Sequence, residues 1–301
     1  MELWIPITIG AAFMQNLRSA LQKHIRSRLS TGGATYARFI YALPLAALYV
    51  AGLAALPGIG LPDPGPAFLG YAVLGGTAQI LATTLLVYLF SLRNFAVGTA
   101  YSKTETVQTA LFGLILLGDR LSVPAALAIL VCLSGVVALS AERSATSVSR
   151  LLGAFTERTA LIGLASGGFF GVSAVSYRAA ALSLGGPGFV MQAAFTLACV
   201  LLFQTVAMAL YLAWREPGQL PAVLRAWRSA GWVGLCGMLA SAGWFTAMTL
   251  QNAAYVRALG QVELIFTFVA AQLFFRERAT RREVAGIGLV VAGILILLLG
   301  R

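Results

Sequence analysis

The chain has 301 residues, of which 59% are hydrophobic and only 10% are charged, whereas an ordinary soluble protein carries about 25% charged residues. This composition excludes a water-soluble enzyme, because too few polar side chains exist to cover its surface, and it excludes a disordered chain, which needs low hydrophobicity. The net charge of +11 does not indicate nucleic-acid binding, because the basic residues form short clusters between long apolar runs.

Ten apolar stretches are long enough to cross a bilayer as helices, since one span needs roughly 20 apolar residues. A run of prolines and glycines after the second stretch and a Gly-Gly-Pro-Gly sequence after the sixth interrupt the helices. The stretches are continuous rather than alternating with a period of two, which excludes a membrane barrel. The sequence therefore predicts an all-α integral membrane protein with ten transmembrane helices at residues 3–22, 34–56, 67–91, 95–117, 122–141, 160–183, 188–213, 229–251, 254–275 and 283–300.

The basic residues of the predicted loops lie mainly on one side of the membrane, 14 on the side reached after the first span against 2 on the side of Met1. The positive-inside rule places the richer side in the cytoplasm and both termini outside. The first residues lack a basic region and a cleavage site of small residues, so we predict no signal peptide. The expected location is the inner membrane of a bacterium, as a multi-pass protein.

The two halves of the chain resemble one another at an offset of 158 residues. Residues 94–122 align on 252–280 without a gap, and Glu105 and Glu263 are among the identical pairs. The repeat divides the chain into residues 1–150 and 151–301, with five predicted spans each. Because five is odd, the second half enters the membrane upside down, and such inverted-topology repeats are the usual plan of secondary transporters.

Similar turns close the fourth and ninth spans, Gly-Asp-Arg-Leu-Ser at 118–122 and Arg-Glu-Arg-Ala-Thr at 276–280, and Arg38 lies near the start of the second span. With these motifs the whole chain resembles the drug/metabolite transporter superfamily, and more narrowly its EamA type and the exporters of aromatic amino acids. The resemblance implies export of amino acids by alternating access, through a central cavity lined mainly by helices 1, 3, 4, 6, 8 and 9. Several relatives have both termini in the cytoplasm, opposite to the orientation that the charges predict.

Glu105 and Glu263 are the only acidic residues deep within predicted spans, where an ionisable group costs on the order of 3 kcal/mol. They either line the substrate path and respond to protons or cations, or bind a neighbouring helix and stabilise the repeat interface. Lys103 either contacts a substrate carboxylate or extends toward the membrane surface. Snorkelling to the surface is expected of Arg18, Arg38 and Arg178.

Polar and aromatic side chains on the implied cavity helices are candidates for binding an amino acid, because a zwitterion needs hydrogen-bonding groups and its side chain an adaptable apolar surface. Taken singly, each could also be polar contact between helices. The predicted substrate-cavity residues are Gln15, Asn16, Gln79, Thr83, Tyr101, Glu105, Gln108, Tyr177, Trp244, Met248, Arg257, Gln261 and Glu263. Tyr101, Glu105 and Gln108 are expected on one face of the fourth span, given about 100° per residue.

No enzyme is predicted, because the chain has no Walker motif and no nucleophile elbow. It also has no potassium-channel filter. Three cysteines without ligand spacing and one histidine cannot form a metal site, so we expect neither metal nor cofactor. The predicted partners are a small-molecule substrate and the lipid bilayer, and a monomer is sufficient because both halves are present. Two alternatives stay open: a proton-driven exporter of lipophilic cations, and a membrane scaffold that transports nothing.

Overall fold

The computed structural model describes residues 2–89, 92, 101–143, 158–186, 188–274 and 280–300, and this part of the chain is helical without a strand. Its helices, in chain order, are α1 (Trp4–Ile25), α2 (Thr31–Ile40), α3 (Leu43–Ala54), α4 (Pro66–Leu89), α5 (Glu105–Leu117), α6 (Val123–Arg143), α7 (Arg158–Ser183), α8 (Phe189–Arg215), α9 (Gln219–Arg225), α10 (Trp227–Leu250), α11 (Ala253–Gly260), α12 (Val262–Phe274) and α13 (Arg281–Leu299).

The described part of each predicted span coincides with one helix or with two consecutive helices, except that in the fourth span α5 begins only at Glu105. Within the described ranges, six segments are long and apolar enough to cross a membrane: α2 with α3, α4, α7, α8, α10 and α13. The multi-pass membrane character is therefore confirmed, whereas the number ten stays a prediction. The start of the aligned repeat at residues 94–100 and the Glu-Arg turn at 277–278 lie outside the described residues.

The helices pack in pairs that the predicted repeat would relate to one another. The longest contacts join α1 to α10, α4 to α7, and α6 to α13. At the offset of 158, the first predicted span corresponds to the sixth and the third to the eighth. The α1–α10 contact is thus the counterpart of the α7–α4 contact, and α6 and α13 are counterparts that contact each other.

Two glycines let α6 and α13 approach closely. A Cβ added at Gly135 would lie 2.6 Å from the carbonyl oxygen of Gly286, and one added at Gly293 would lie 2.9 Å from the carbonyl oxygen of Ala128. Gly135 with Gly293, and Ala128 with Gly286, are each 158 residues apart. The same contact of a glycine with a backbone carbonyl therefore occurs twice in this interface. Only a residue without a side chain permits this contact.

We expect Gly293→Ala to lower the stability of the protein by about 1–3 kcal/mol, the range for overpacking a core, because the new methyl group would meet backbone. The matched control is Gly288→Ala on the same helix, where a Cβ meets nothing within 4 Å and the change should stay within about 1 kcal/mol. Thermal unfolding in detergent measures both. Equal melting temperatures for the two variants would contradict the close approach.

Candidate substrate site

The fourth and ninth predicted spans are both interrupted near their middle. Residues 101–102 are helical, residues 103–104 form a turn, and α5 begins at Glu105, while α11 ends at Gly260 and α12 begins at Val262 after a turn at Gln261. Each glutamate therefore lies in the first turn of a helix, where free N–H groups and the helix dipole stabilise a carboxylate. The prediction of continuous helices through these spans is wrong at these turns.

Each glutamate pairs with a basic residue of the other half. Arg257 Nη1 lies 3.6 Å from Glu105 Oε1, with the two side chains only 7% and 10% exposed. Lys103 Nζ contacts Glu263 Oε1 directly. Lys103 thus neither extends to the membrane surface nor stays free for a substrate in this structure, because the turn before α5 directs it to α12.

Polar side chains of α1 surround the second glutamate. Gln15 Nε2 donates to Glu263 Oε2 at 3.2 Å, and Asn16 Nδ2 donates to Thr267 Oγ1 at 2.9 Å. Glu263 thus contacts a basic residue of the fourth span and an amide of the first span. Glu263 therefore makes the contact to a neighbouring helix that a structural role requires. The polar groups that a binding site requires lie in the same place.

A small enclosed cavity lies between α1, α2, α4, α7, α10 and α11. Its volume is about 10 Å³, which is about the room that one water molecule needs. The walls carry amide, hydroxyl, guanidinium, aromatic and thioether groups from Gln15, Arg38, Gln79, Phe170, Tyr177, Ser241, Trp244, Phe245, Met248 and Arg257. An amino acid does not fit in this volume, so the site is closed in this structure.

Hydrogen bonds between α4, α7 and α8 fix one wall of the cavity. Tyr177 Oη and Gln204 Nε2 both donate to Gln79 Oε1 at 3.0 Å, and Gln204 also donates to the carbonyl oxygen of Gly76 at 3.1 Å. The Tyr177 ring stacks on Phe245 with the centroids 4.4 Å apart. Sequence reasoning missed Gln204, although a fully buried amide in an otherwise apolar span is a signal for a polar partner.

Arg18 and Arg38 are buried beside this cavity, at 3% and 4% exposure. The prediction that they snorkel is wrong, because α10 provides an intramolecular place for them. A Cβ at Gly237 would lie 3.5 Å from both Arg18 Cδ and Arg38 Cγ, so the two stems converge on a residue without a side chain. Arg38 Nη1 donates to Thr83 Oγ1 at 2.8 Å.

Arg178 is also turned inward rather than toward lipid. It donates to the carbonyl oxygens of Met248 at 2.6 Å and Gln251 at 2.7 Å, at the end of α10. Its Nε lies 3.6 Å from Asp119 Oδ2. Asp119 follows Gly118, which ends α5 in the left-handed region with φ 67°. One arginine thus ties α5, α7 and α10 together beside the cavity.

The structure brings most of the predicted site residues together and leaves two apart. Six line the cavity: Gln15, Gln79, Tyr177, Trp244, Met248 and Arg257. Four more bind a cavity residue or join the two interrupted helices: Thr83, Glu105, Glu263 and Gln261, whose Nε2 donates to Thr106 Oγ1 at 3.0 Å. Asn16 joins α1 to α12 through its hydrogen bond to Thr267.

Tyr101 and Gln108 lie elsewhere. Tyr101 packs against Ala160 and Leu164 of α7, and Gln108 Nε2 donates to Thr104 Oγ1 at 2.7 Å. The turn at 103–104 breaks the regular helical spacing, which separates Tyr101 from the face that carries Glu105. Among the described residues, no group of three or more His, Cys, Asp or Glu side chains could hold a metal ion.

A family model matches most of the second half of the chain. Residues 158–299 match the EamA-like transporter family. The EamA-like domain is a transporter domain of the drug/metabolite superfamily. The resemblance inferred from the turn motifs is therefore confirmed at the level of this domain.

Solved structures share the fold of the whole chain, and 28 of their chains match it. One of them, described as "Crystal structure of protein", has 16% sequence identity and a TM-score of 0.68, and the match covers 99% of this chain and 96% of that one. At this identity the likeness shows the fold alone. The chain has no match among the curated proteins.

Proposed function

We propose that the protein is a secondary transporter that exports small neutral amino acids, aromatic ones included, across the bacterial inner membrane. The observation that carries the proposal is the pair of interrupted helices whose glutamates bind bases of the opposite half beside a polar cavity. Interrupted helices that meet at the repeat interface form the substrate sites of many transporters. The EamA-like domain at residues 158–299 supports transport as the function.

The mechanism we propose is alternating access between two inverted halves, residues 1–150 and 151–301. The helix contacts support the repeat, because α1 packs on α10 in the same way as its counterpart α7 packs on α4. The cavity volume of about 10 Å³ supports an occluded state, because a substrate would enter only when the halves separate on one side. Alternation between the two open states would break and re-form the ion pairs between the halves.

The cavity walls support a substrate that combines a charged head with an apolar body. Gln79 and Tyr177 offer hydrogen bonds, while Trp244, Phe245 and Met248 offer an apolar surface. A lipophilic cation finds less support, because both glutamates beside the cavity are already bound to basic residues. The narrower resemblance to exporters of aromatic amino acids and the monomeric state are parts of the proposal.

Counterflow into proteoliposomes tests the function. We expect purified protein to take up labelled Phe, Trp, Thr or Met in exchange for unlabelled amino acid inside, and the uptake should saturate. A labelled lipophilic cation runs in parallel, and its uptake alone would favour the multidrug alternative. If folded protein exchanges none of these solutes, the transporter proposal fails and the scaffold alternative becomes the better one.

Proton coupling is tested with Glu105→Gln and Glu263→Gln. If a glutamate carries the proton, its variant should lose uptake driven by a pH gradient and keep exchange of substrate for substrate. Asp63→Asn is the matched control, because Asp63 is an exposed acid in the loop between α3 and α4. Gradient-driven uptake that is unchanged in both glutamate variants would exclude coupling through these residues.

A further inference from the structure

The buried charges around the cavity do not balance. Four basic residues of this region, Arg18, Arg38, Lys103 and Arg257, are largely or fully buried, against the two carboxylates of Glu105 and Glu263. Lys103 and Arg257 bind those two carboxylates. Among the described residues, no carboxylate lies within 4 Å of Arg18 or Arg38, so these two guanidinium groups hold an excess of positive charge.

The two unpaired guanidinium groups lie close to each other and to the cavity. Their stems meet at Gly237, and Arg38 lines the same cavity as Arg257. Like charges in a poorly solvated interior repel strongly. This arrangement is unfavourable in the empty protein and becomes favourable when an anion enters.

Buried hydrogen-bond donors without an acceptor lie at the same place. Arg18 makes one long hydrogen bond to Ser19 at 3.5 Å, and its Nε has no acceptor. The Nε atom of Arg257 and the indole Nε1 of Trp244, both on residues of the cavity wall, also have no acceptor. Buried donors are normally satisfied, so these groups point to an acceptor that the protein itself does not supply.

We propose that the site binds small organic anions, through a carboxylate or phosphate group held by Arg18 and Arg38. A guanidinium group donates two parallel hydrogen bonds to either group, which makes arginine a selective ligand for both. The apolar body of the anion would lie against Trp244, Phe245 and Met248. This inference rests on the proposed transport function and refines its substrate class.

The charge balance distinguishes an organic anion from an amino acid. An amino acid would bring an ammonium group next to buried bases while Glu105 and Glu263 are occupied, so the site gains no net compensation. An acid of the same shape without the ammonium group neutralises the excess charge and fills the free donors. The proposal therefore predicts that anions are preferred over zwitterions, and zwitterions over cations.

Three ligands that share one ring and differ in charge test this preference: 3-phenylpropionate, phenylalanine and 2-phenylethylamine, with phenyl phosphate as the second anion. We expect the anions to raise the melting temperature of the purified protein at concentrations about tenfold or more lower than phenylalanine needs for the same rise. This difference corresponds to one additional hydrogen bond between charged groups. Whichever of the two anions stabilises the protein at the lower concentration shows whether the site prefers a carboxylate or a phosphate group. Binding of phenylalanine or the amine in preference to both anions would overturn the proposal, and so would binding of none of the four.

Variants locate the site on the two arginines. Arg38→Gln and Arg18→Gln should each abolish stabilisation by the anions, Arg38→Lys should keep part of it, and Arg225→Gln, at an exposed arginine, should keep all of it. Anion binding that is unchanged in folded Arg18 and Arg38 variants would refute the assignment. Counterflow separates the two proposals: exchange of phenylalanine without anion preference refutes only this inference, and exchange of no solute refutes transport itself.

Discussion

Glutamine in place of Glu105 is expected to lower the free energy of unfolding by about 3–5 kcal/mol, the range for breaking a buried ion pair from one side. The change leaves Arg257, 3.6 Å from the lost carboxylate, as a buried cation without its carboxylate partner. Glu263→Gln is expected to act in the same direction through Lys103. Reversible unfolding in mixed micelles of detergent and SDS measures both variants against the wild type.

Removing the two partners of the Glu105–Arg257 ion pair should cost unequal amounts of stability, and this difference tests the prediction most directly. Arg257→Gln removes a cation from a region with excess positive charge, and the remaining Glu105 carboxylate lies in the first turn of α5, where the helix dipole stabilises it. Its effect should therefore be clearly smaller than that of Glu105→Gln. The double variant should recover much of the loss, because the uncompensated charge is gone.

Equal losses in the two single variants, or strictly additive losses in the double variant, would contradict the charge balance described here. Asp63→Asn serves as the control for removing an acid from an exposed position. Its change should stay within about 0.5 kcal/mol, as for surface substitutions in general.

The sequence is sufficient to predict the helical membrane fold, because apolar runs of this length have few other solutions. It also identifies Glu105 and Glu263 as residues that need partners, since carboxylates are rare at this depth. The partners themselves could not be predicted. Arg257 and Lys103 bind the glutamates of the opposite half, and a pairing between halves depends on how the helices pack.

The helix interruptions were missed because their local signals are weak. Residues 103–104 contain neither glycine nor proline, and only Gly260 marks the turn at Gln261. The ion pairs across the halves supply a tertiary reason for the turns, which outweighs helix propensity. Once the turn shifts the helix register, Tyr101 leaves the face of Glu105 and packs against α7.

The placement of Arg18 and Arg38 failed for a related reason. Near the end of a span, a long basic side chain normally reaches the membrane surface. Gly237 on α10 provides space for both stems, but the value of that glycine appears only when α1 and α2 are known to pack on α10. The position of an arginine along its own helix does not show whether a neighbouring helix has space for its side chain.

Methionine in place of Arg18 is expected to raise the stability of the substrate-free protein by about 2 kcal/mol, because it removes a buried charge without a carboxylate partner. Methionine is unbranched and flexible, so it can occupy the space of the arginine stem next to Gly237. The same variant should lose uptake in the counterflow assay, since Arg18 is proposed to hold the anionic group of the substrate. The two measurements together separate a binding role from a structural one.

A structural role for Arg18 predicts the opposite result. If the guanidinium group mainly holds α1 to α10, Arg18→Met lowers the melting temperature, and uptake falls only in proportion to the folded protein. Arg225→Gln, at an exposed position, should leave both quantities unchanged and controls for the loss of one positive charge. A variant that is more stable and inactive would mean that the protein keeps an unfavourable charge for its substrate, which is the usual relation between stability and function at a binding site.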